Sequence, residues 1–140
     1  MLYDEIKALY ERSRLEHYRE LFGRIREKDG SLSATEAFAA DVIYLLQDAT
    51  VSKFADVLGI SQPNATYKIN NLAAKGYVTR TASEEDRREC RVSVVDKFFS
   101  YYDTDYPFIE QAVKRLETKY TPEELDLCAR MLRDLTDSLE

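Results

Sequence analysis

Between Thr50 and Arg91 the spacing of apolar residues changes from helical to alternating, with a glycine at each break, and few architectures accommodate that order. Val51, Phe54, Ala55 and Leu58 recur at the i, i+3, i+4, i+7 spacing of one helix face. Ala55 is small enough to let a second helix approach closely. Gly59 follows where a helix commonly ends in a left-handed conformation, which costs glycine almost nothing. Ser61 is a good N-cap for the next helix, and Pro63 falls in its first turn, where a missing N–H would be unpaired anyway. In that second helix Ala65, Ile69 and Leu72 share one face, and Gly76 ends it. Tyr77-Val78-Thr79-Arg80 and Arg91-Val92-Ser93-Val94 then alternate in strand fashion around a charged tip running from Thr81 to Glu89.

Two short helices about a tight turn, followed by a hairpin, are the layout of a winged helix-turn-helix, and that layout points to DNA. The outward face of the second helix carries Gln62, Asn64, Tyr67, Lys68, Asn71 and Lys75. It holds little acid and many amide, hydroxyl and ammonium groups, which hydrogen-bond base edges and phosphates in a major groove wide enough for one helix. The hairpin tip places Arg87 and Arg88 side by side among acids, offering cations to a phosphate or a narrow minor groove. Each feature alone also fits an ordinary solvated surface; the order in which they occur favours nucleic acid.

The run from Val51 to Val94 resembles the multiple-antibiotic-resistance regulator (MarR) family of bacterial transcription factors. The resemblance is carried by Leu58-Gly59-Ile60-Ser61, by Leu72-Ala73-Ala74-Lys75-Gly76-Tyr77-Val78-Thr79-Arg80 and by Ser83-Glu84-Glu85-Asp86-Arg87-Arg88. It implies that Arg88 is the wing-tip arginine that enters the minor groove, that Asp86 orients it, and that Arg87 lies beside the phosphates. The DNA-contacting set it implies is Ser61, Gln62, Asn64, Thr66, Tyr67, Lys68 and Asn71 on the helix, with Ser83, Arg87 and Arg88 in the wing. Tyr67 stands where family members often carry an arginine, and Val95-Asp96-Lys97-Phe98-Phe99 replaces the usual start of the next helix.

The chain's 140 residues are about one domain in length and can bury a core. The expected organisation is a single mainly α (α+β) domain over 1–140, with the winged helix-turn-helix at 33–95 and helical regions at 1–30 and 96–140. A helix is expected from Leu2 to Lys28, with Ile6, Leu9, Leu15, Tyr18, Leu21, Phe22 and Ile25 as an approximate apolar stripe ended by Asp29-Gly30. Ser33-x-x-Glu36 is a capping box opening a helix from Ala34 to about Gln47, with Phe38, Val42, Leu45 and Leu46 as its buried side. After the wing, Asp96 to Tyr120 reads as a long helix, irregular near Tyr106-Pro107. Thr121-Pro122-Glu123-Glu124 then starts a last helix bearing Leu125, Cys128, Met131, Leu132, Leu135 and Leu139. These terminal helices carry more apolar surface than a small winged helix covers. In the resembled family they intertwine with those of a second copy, which implies a homodimer whose two reading helices stand one turn of DNA apart; a monomeric bundle over the module is the alternative.

The net charge of −6 describes the whole chain and not the module. From Ile60 to Val92 six cations stand against four acids, leaving the remainder at −8. Because salt confines each charge to about 10 Å, an acidic protein with a local basic edge suits selective DNA binding. There is no run of roughly 18 apolar residues and no signal-peptide pattern, so no membrane partner is expected and a cytoplasmic location follows. Four glycines form no phosphate-binding loop, and the only histidine, His17, completes no nucleophilic triad, so an enzyme is not expected. Cys90 and Cys128 lack metal-ligand spacing, and neither metal nor cofactor is expected. A winged helix used for protein contact is the rival reading, though its helix would carry an apolar or acidic face. Tyr10, Tyr18, Tyr44 and Tyr101, with Tyr102, lie on helices that the resembled family uses to line an effector crevice. Their rings suit a small aromatic effector, or equally core and interface packing. Cys90, beside Arg91 and Arg88, reads as a redox switch or as a structural thiol.

Overall fold

The computed structural model describes residues 1–25, 32–82, 89–101 and 105–139, with the side chains of residues 24, 25 and 101 outside the description. The elements are α1 (Leu2–Ile25), α2 (Ala34–Leu46), β1 (Ala49–Thr50), α3 (Val51–Leu58), α4 (Gln62–Ala74), β2 (Val78–Ala82), β3 (Cys90–Val94), α5 (Asp96–Tyr101), α6 (Pro107–Glu117) and α7 (Pro122–Asp137). They fall into two compact units, Met1–Asp103 and Thr104–Glu140.

In the first unit the local signals act as their chemistry dictates. Ser33 caps α2: its hydroxyl accepts from the Glu36 N–H at 3.2 Å, and Glu36 Oε1 accepts from the Ser33 N–H at 3.2 Å. Gly59 ends α3 at φ 64, ψ 36, and the Ile60 N–H reaches back to the Ala55 carbonyl at 3.0 Å. Nothing lies within 4 Å of a Cβ built on Gly59, so backbone strain and not space makes glycine the suitable residue there. Ser61 then caps α4 by accepting from the Asn64 N–H at 3.3 Å.

Phe54 and Ala55 of α3, Ala65, Ile69 and Leu72 of α4, and Val78 and Val92 of the hairpin close one core. β2 and β3 pair antiparallel, with Val78 opposite Val94 and Ala82 opposite Cys90. A third strand, β1, was not expected: Ala49 and Thr50 pair with Val92 and Arg91 on the other edge of β3. Thr50 is buried there, and its hydroxyl caps α3 by accepting from the Lys53 N–H at 3.1 Å.

Three expectations are corrected. The buried side of α2 is Ala37, Ala39, Ala40 and Ile43, whereas Phe38 and Leu45 are 45% and 61% exposed. The reason is close approach: α2 packs against α4 and β3, and alanines let the backbones meet. The helix expected over Asp96 to Tyr120 is divided in the described residues into α5 and α6. Tyr106 stands between them at φ 46, immediately before Pro107, whose ring disfavours helix in the preceding residue. Phe98, on α5, is fully buried and stacks on Tyr44 at 5.3 Å between ring centroids. The apolar stripe of α1 is likewise mostly open: Leu9, Leu15, Tyr18 and Phe22 are exposed, and among its described side chains Leu21 alone is buried.

The second unit consists of α6 and α7, joined by a short connection. Thr121 and Glu124 form the expected capping box, with Pro122 at the first helical position. No residue of either helix is buried.

Candidate nucleic-acid interface

The reading face of α4 follows from how the helix is anchored. Ala65, Ile69 and Leu72 are fully buried, which turns Gln62, Asn64 and Tyr67 to solvent; Thr66, Lys68 and Asn71 flank them, half-buried. Tyr67 is 68% exposed, a large aromatic surface held out from the helix without a packing role. The Ser61 hydroxyl is engaged in the cap, which leaves its own O–H free to donate outward. Gln62 donates from Nε2 to Ser52 Oγ at 3.2 Å, so it braces α4 against α3 as well as facing outward.

The cations of the module divide by partner. Lys75, expected on the outward face, instead donates to Glu36 Oε1 at 2.8 Å and fastens the end of α4 to α2. Burial raises the Glu36 pKa, but the bond from Lys75 and those from Ser33 outweigh it, and the carboxyl ends below its ordinary value. Arg91 pairs with Asp48 at 3.5 Å. Arg80 donates to Asn70 Oδ1 at 2.5 Å and to Cys90 Sγ at 3.3 Å. Among the described residues between Ile60 and Val92, Lys68 alone is a cation without a protein partner. It lies on the same helix face as Asn64, one turn on. Ser83, Asp86, Arg87 and Arg88, the wing-tip set, lie outside the described residues.

The four tyrosines considered for an effector have different surroundings. Tyr18 borders an open hollow of about 440 Å³ between α1 and α2, lined by Leu15, Leu21, Phe22 and Phe38, and its ring meets Phe38 edge-on at 6.3 Å. Tyr44 belongs to the stack with Phe98 and Phe99. The Arg14 guanidinium covers Tyr10 at 5.2 Å, and the Tyr101 side chain lies outside the description. Near the hollow, His17 Nε2 stands 3.5 Å from Asp41 Oδ2 and joins α1 to α2. Burial raises the Asp41 pKa, and the nearby histidine offsets part of that rise. Cys90 is half-buried and meets Arg80, not Arg91's side chain; Cys128 is exposed on α7. Asn70, its partner Arg80 and the Glu36–Lys75 bond were not foreseen as parts of this site, because each joins elements whose side-chain spacing in sequence carries no sign of the pairing.

Comparison with known proteins gives one consistent answer. Residues 31–89 match the model of the MarR family. The chain is 22% identical over 102 residues to the HTH-type transcriptional regulator MhqR of Bacillus subtilis, covering 73% of this chain and 70% of that protein. The fold superposes with a TM-score of 0.68 on a mutant MepR from a multidrug-resistant S. aureus clinical isolate, at 14% identity and covering 96% of this chain and 97% of that one. It superposes with a TM-score of 0.59 on Streptococcus pneumoniae FabT in complex with DNA, at 25% identity and covering 99% and 94%.

Proposed function

We propose that the chain, which is similar to the MarR family over residues 31–89, is a homodimeric transcription regulator of that family that reads double-stranded DNA with α4 and represses nearby genes until a small aromatic effector releases it. The observation that carries the reading is the outward face of α4: amides, Tyr67 and Lys68 stand in one row on a helix whose opposite face is locked into the core. Gln62 and Asn64 offer the paired donor and acceptor that match adenine, and Lys68 reaches guanine or a phosphate. FabT, similar in fold and in 25% of aligned residues, was solved with DNA bound. Ser61, Thr66 and Asn71 complete the helix contacts; in the wing Arg88, oriented by Asp86, enters the minor groove, Arg87 lies beside the phosphates, and Ser83 completes the set.

Dimerisation is supported by surface chemistry. Leu9 and Leu15 expose an apolar face on α1, and Ile109, Val113, Met131 and Leu132 expose one on α6 and α7. A two-fold pair presents two copies of α4, so the preferred site is an inverted repeat with half-sites about 10 base pairs apart. Selection from a random duplex library with the purified protein tests this. The expected product is such a repeat, bound with an affinity that falls steeply with salt. Enrichment of no sequence would overturn the reading in favour of a protein-contact module.

For the effector, Tyr18 offers the best-shaped surroundings of the three tyrosines whose side chains are described. The hollow beside it is large enough for a single-ring phenol and is lined by carbon. Titrating simple phenols into the protein–DNA complex, followed by fluorescence anisotropy, should show release that Tyr18→Ala abolishes. Release that is unchanged in that variant would place the effector elsewhere.

A further inference from the structure

Arg80 holds the hairpin to the reading helix. On the paired strands β2 and β3 side chains alternate, and the register puts Val78, Arg80, Val92, Cys90 and Val94 on one face, with Thr79, Thr81, Arg91 and Ser93 on the other. The first face is the one that closes the core, since Val78 and Val92 on it are 3% and 1% exposed. Arg80 therefore points toward the body of the domain at the place where the hairpin runs past it. There its guanidinium meets α4: Nη1 donates to Asn70 Oδ1 at 2.5 Å, while Nε donates to Cys90 Sγ on the neighbouring strand at 3.3 Å. One planar cation thus joins the reading helix to both strands of the hairpin. Ala82, the next residue of β2 on that face, has no polar atom with which to make a second tie.

Resting on the proposed DNA reading, we propose that Arg80, with Asn70 as its acceptor, is a positioning residue that holds strands β2 and β3 against the α4 reading helix before DNA arrives. Asn70 lies one turn beyond Tyr67, on the flank of the helix nearer the hairpin. The residues that carry the wing's cations follow Arg80 in the chain. A hairpin that pivots at its root would bring those cations to the minor groove only at an entropic cost, and the clamp removes that cost in advance. Both partners are exposed, so water competes with the bond in the free protein and its contribution to stability is small. Two of the guanidinium's donor nitrogens face protein atoms, which sets Arg80 apart from Lys68, whose ammonium has no protein partner.

A binding series with the full chain separates this role from a plain phosphate contact. The probes are a duplex recovered by selection from a random library and a random-sequence duplex as competitor, and the variants are Arg80→Ala, Asn70→Ala and the double substitution. Each single substitution should weaken the selected duplex by about three- to tenfold, the factor for one lost hydrogen bond, with Tm unchanged. The double variant should be no weaker than the weaker single, because the two side chains act as one unit. Asn70→Ala should leave the slope of log affinity against log salt as it is in the parent. A slope reduced by about 0.9 in Arg80→Ala, the value for one released phosphate contact, together with parental affinity in Asn70→Ala, would overturn the proposal and make Arg80 a phosphate ligand. Additive losses in the double variant would overturn it as well. Failure of the parent to enrich or bind any duplex would strike the DNA reading itself, an outcome distinct from either of these.

Discussion

The two units differ in how far their contacts reach along the chain. In the first, side chains distant in sequence meet: Glu36 pairs with Lys75, Asn70 with Arg80, Asp48 with Arg91, and the Lys97 ammonium donates to the Lys75 carbonyl at 2.7 Å. Phe54, Ile69, Leu72, Val92 and Phe98 fill the space these pairs enclose. In the second, the described side-chain bonds of α6 and α7 join residues no more than four apart, such as Lys114 to Glu110 and Thr136 to the Leu132 carbonyl, and no side chain of either helix is buried. Local bonds of that kind stabilise a helix by a few tenths of a kcal/mol each, about 0.2–0.5 for an ion pair. They do not hold one helix against another. The first unit thus has a closed core beneath α4 and the hairpin, with the α1 stripe left open, and the second is amphipathic with its apolar face exposed.

The contrast predicts opposite dependence on protein concentration. Phe54→Ala should lower the stability of the first unit by about 3–5 kcal/mol, the range for emptying a closed aromatic site, and by the same amount at low and high protein concentration. Leu132→Glu, on the open face of α7, should weaken self-association by about 100-fold, from roughly 3 kcal/mol for a charge stranded in an apolar contact. Its effect on melting should grow as the protein is diluted, since stability linked to assembly follows mass action. Sedimentation and thermal denaturation across a hundredfold range of concentration read both. A well-folded monomeric parent at micromolar concentration would break the comparison, because the second unit would then be stable without a partner.

What was legible in the chain was what is encoded within a few residues. The turn at Gly59 and the caps at Ser33, Ser61 and Thr121 are short-range hydrogen-bond geometries, and their residue types announce them. Ala65, Ile69 and Leu72 were legible as a buried row because one face of a 13-residue helix repeats clearly. β1 was not, since two residues have no period and Ala49 and Thr50 are a strand only because β3 lies beside them. The phase of α2 was misread in part: Val42 and Leu46 pack against the core as expected, but Phe38 and Leu45 do not, because the crossing with α4 takes alanines. Phe38 is left at the surface, where it borders the Tyr18 hollow. The site divides in the same way. The outward row of α4 follows from the helix period, but the removal of Lys75 from that row depends on a partner 39 residues away.

Of these partnerships, the one between Glu36 and Lys75 gives the smallest effect, and pH gives it a sign. The Glu36 carboxyl is held below its ordinary value of 4.5 because it accepts from Lys75 and Ser33, despite a burial that acts in the other direction. A carboxyl whose folded pKa is depressed contributes stability above its unfolded pKa, and that contribution disappears as pH falls through the folded value. Glu36→Gln keeps the shape of the capping box but removes the charge. At pH 7 it should lower the stability of the first unit by up to about 1 kcal/mol, the range for partly exposed pairs. As the pH is brought below 4.5 the parent should lose its advantage, and the two melting curves should converge. Lys75→Met, which removes the partner and leaves the capping box intact, should show the same convergence. If the difference between parent and Glu36→Gln persisted unchanged in acid, the contribution of Glu36 would come from its fit at the start of α2, and the joint between α2 and α4 would rest on the apolar contacts alone.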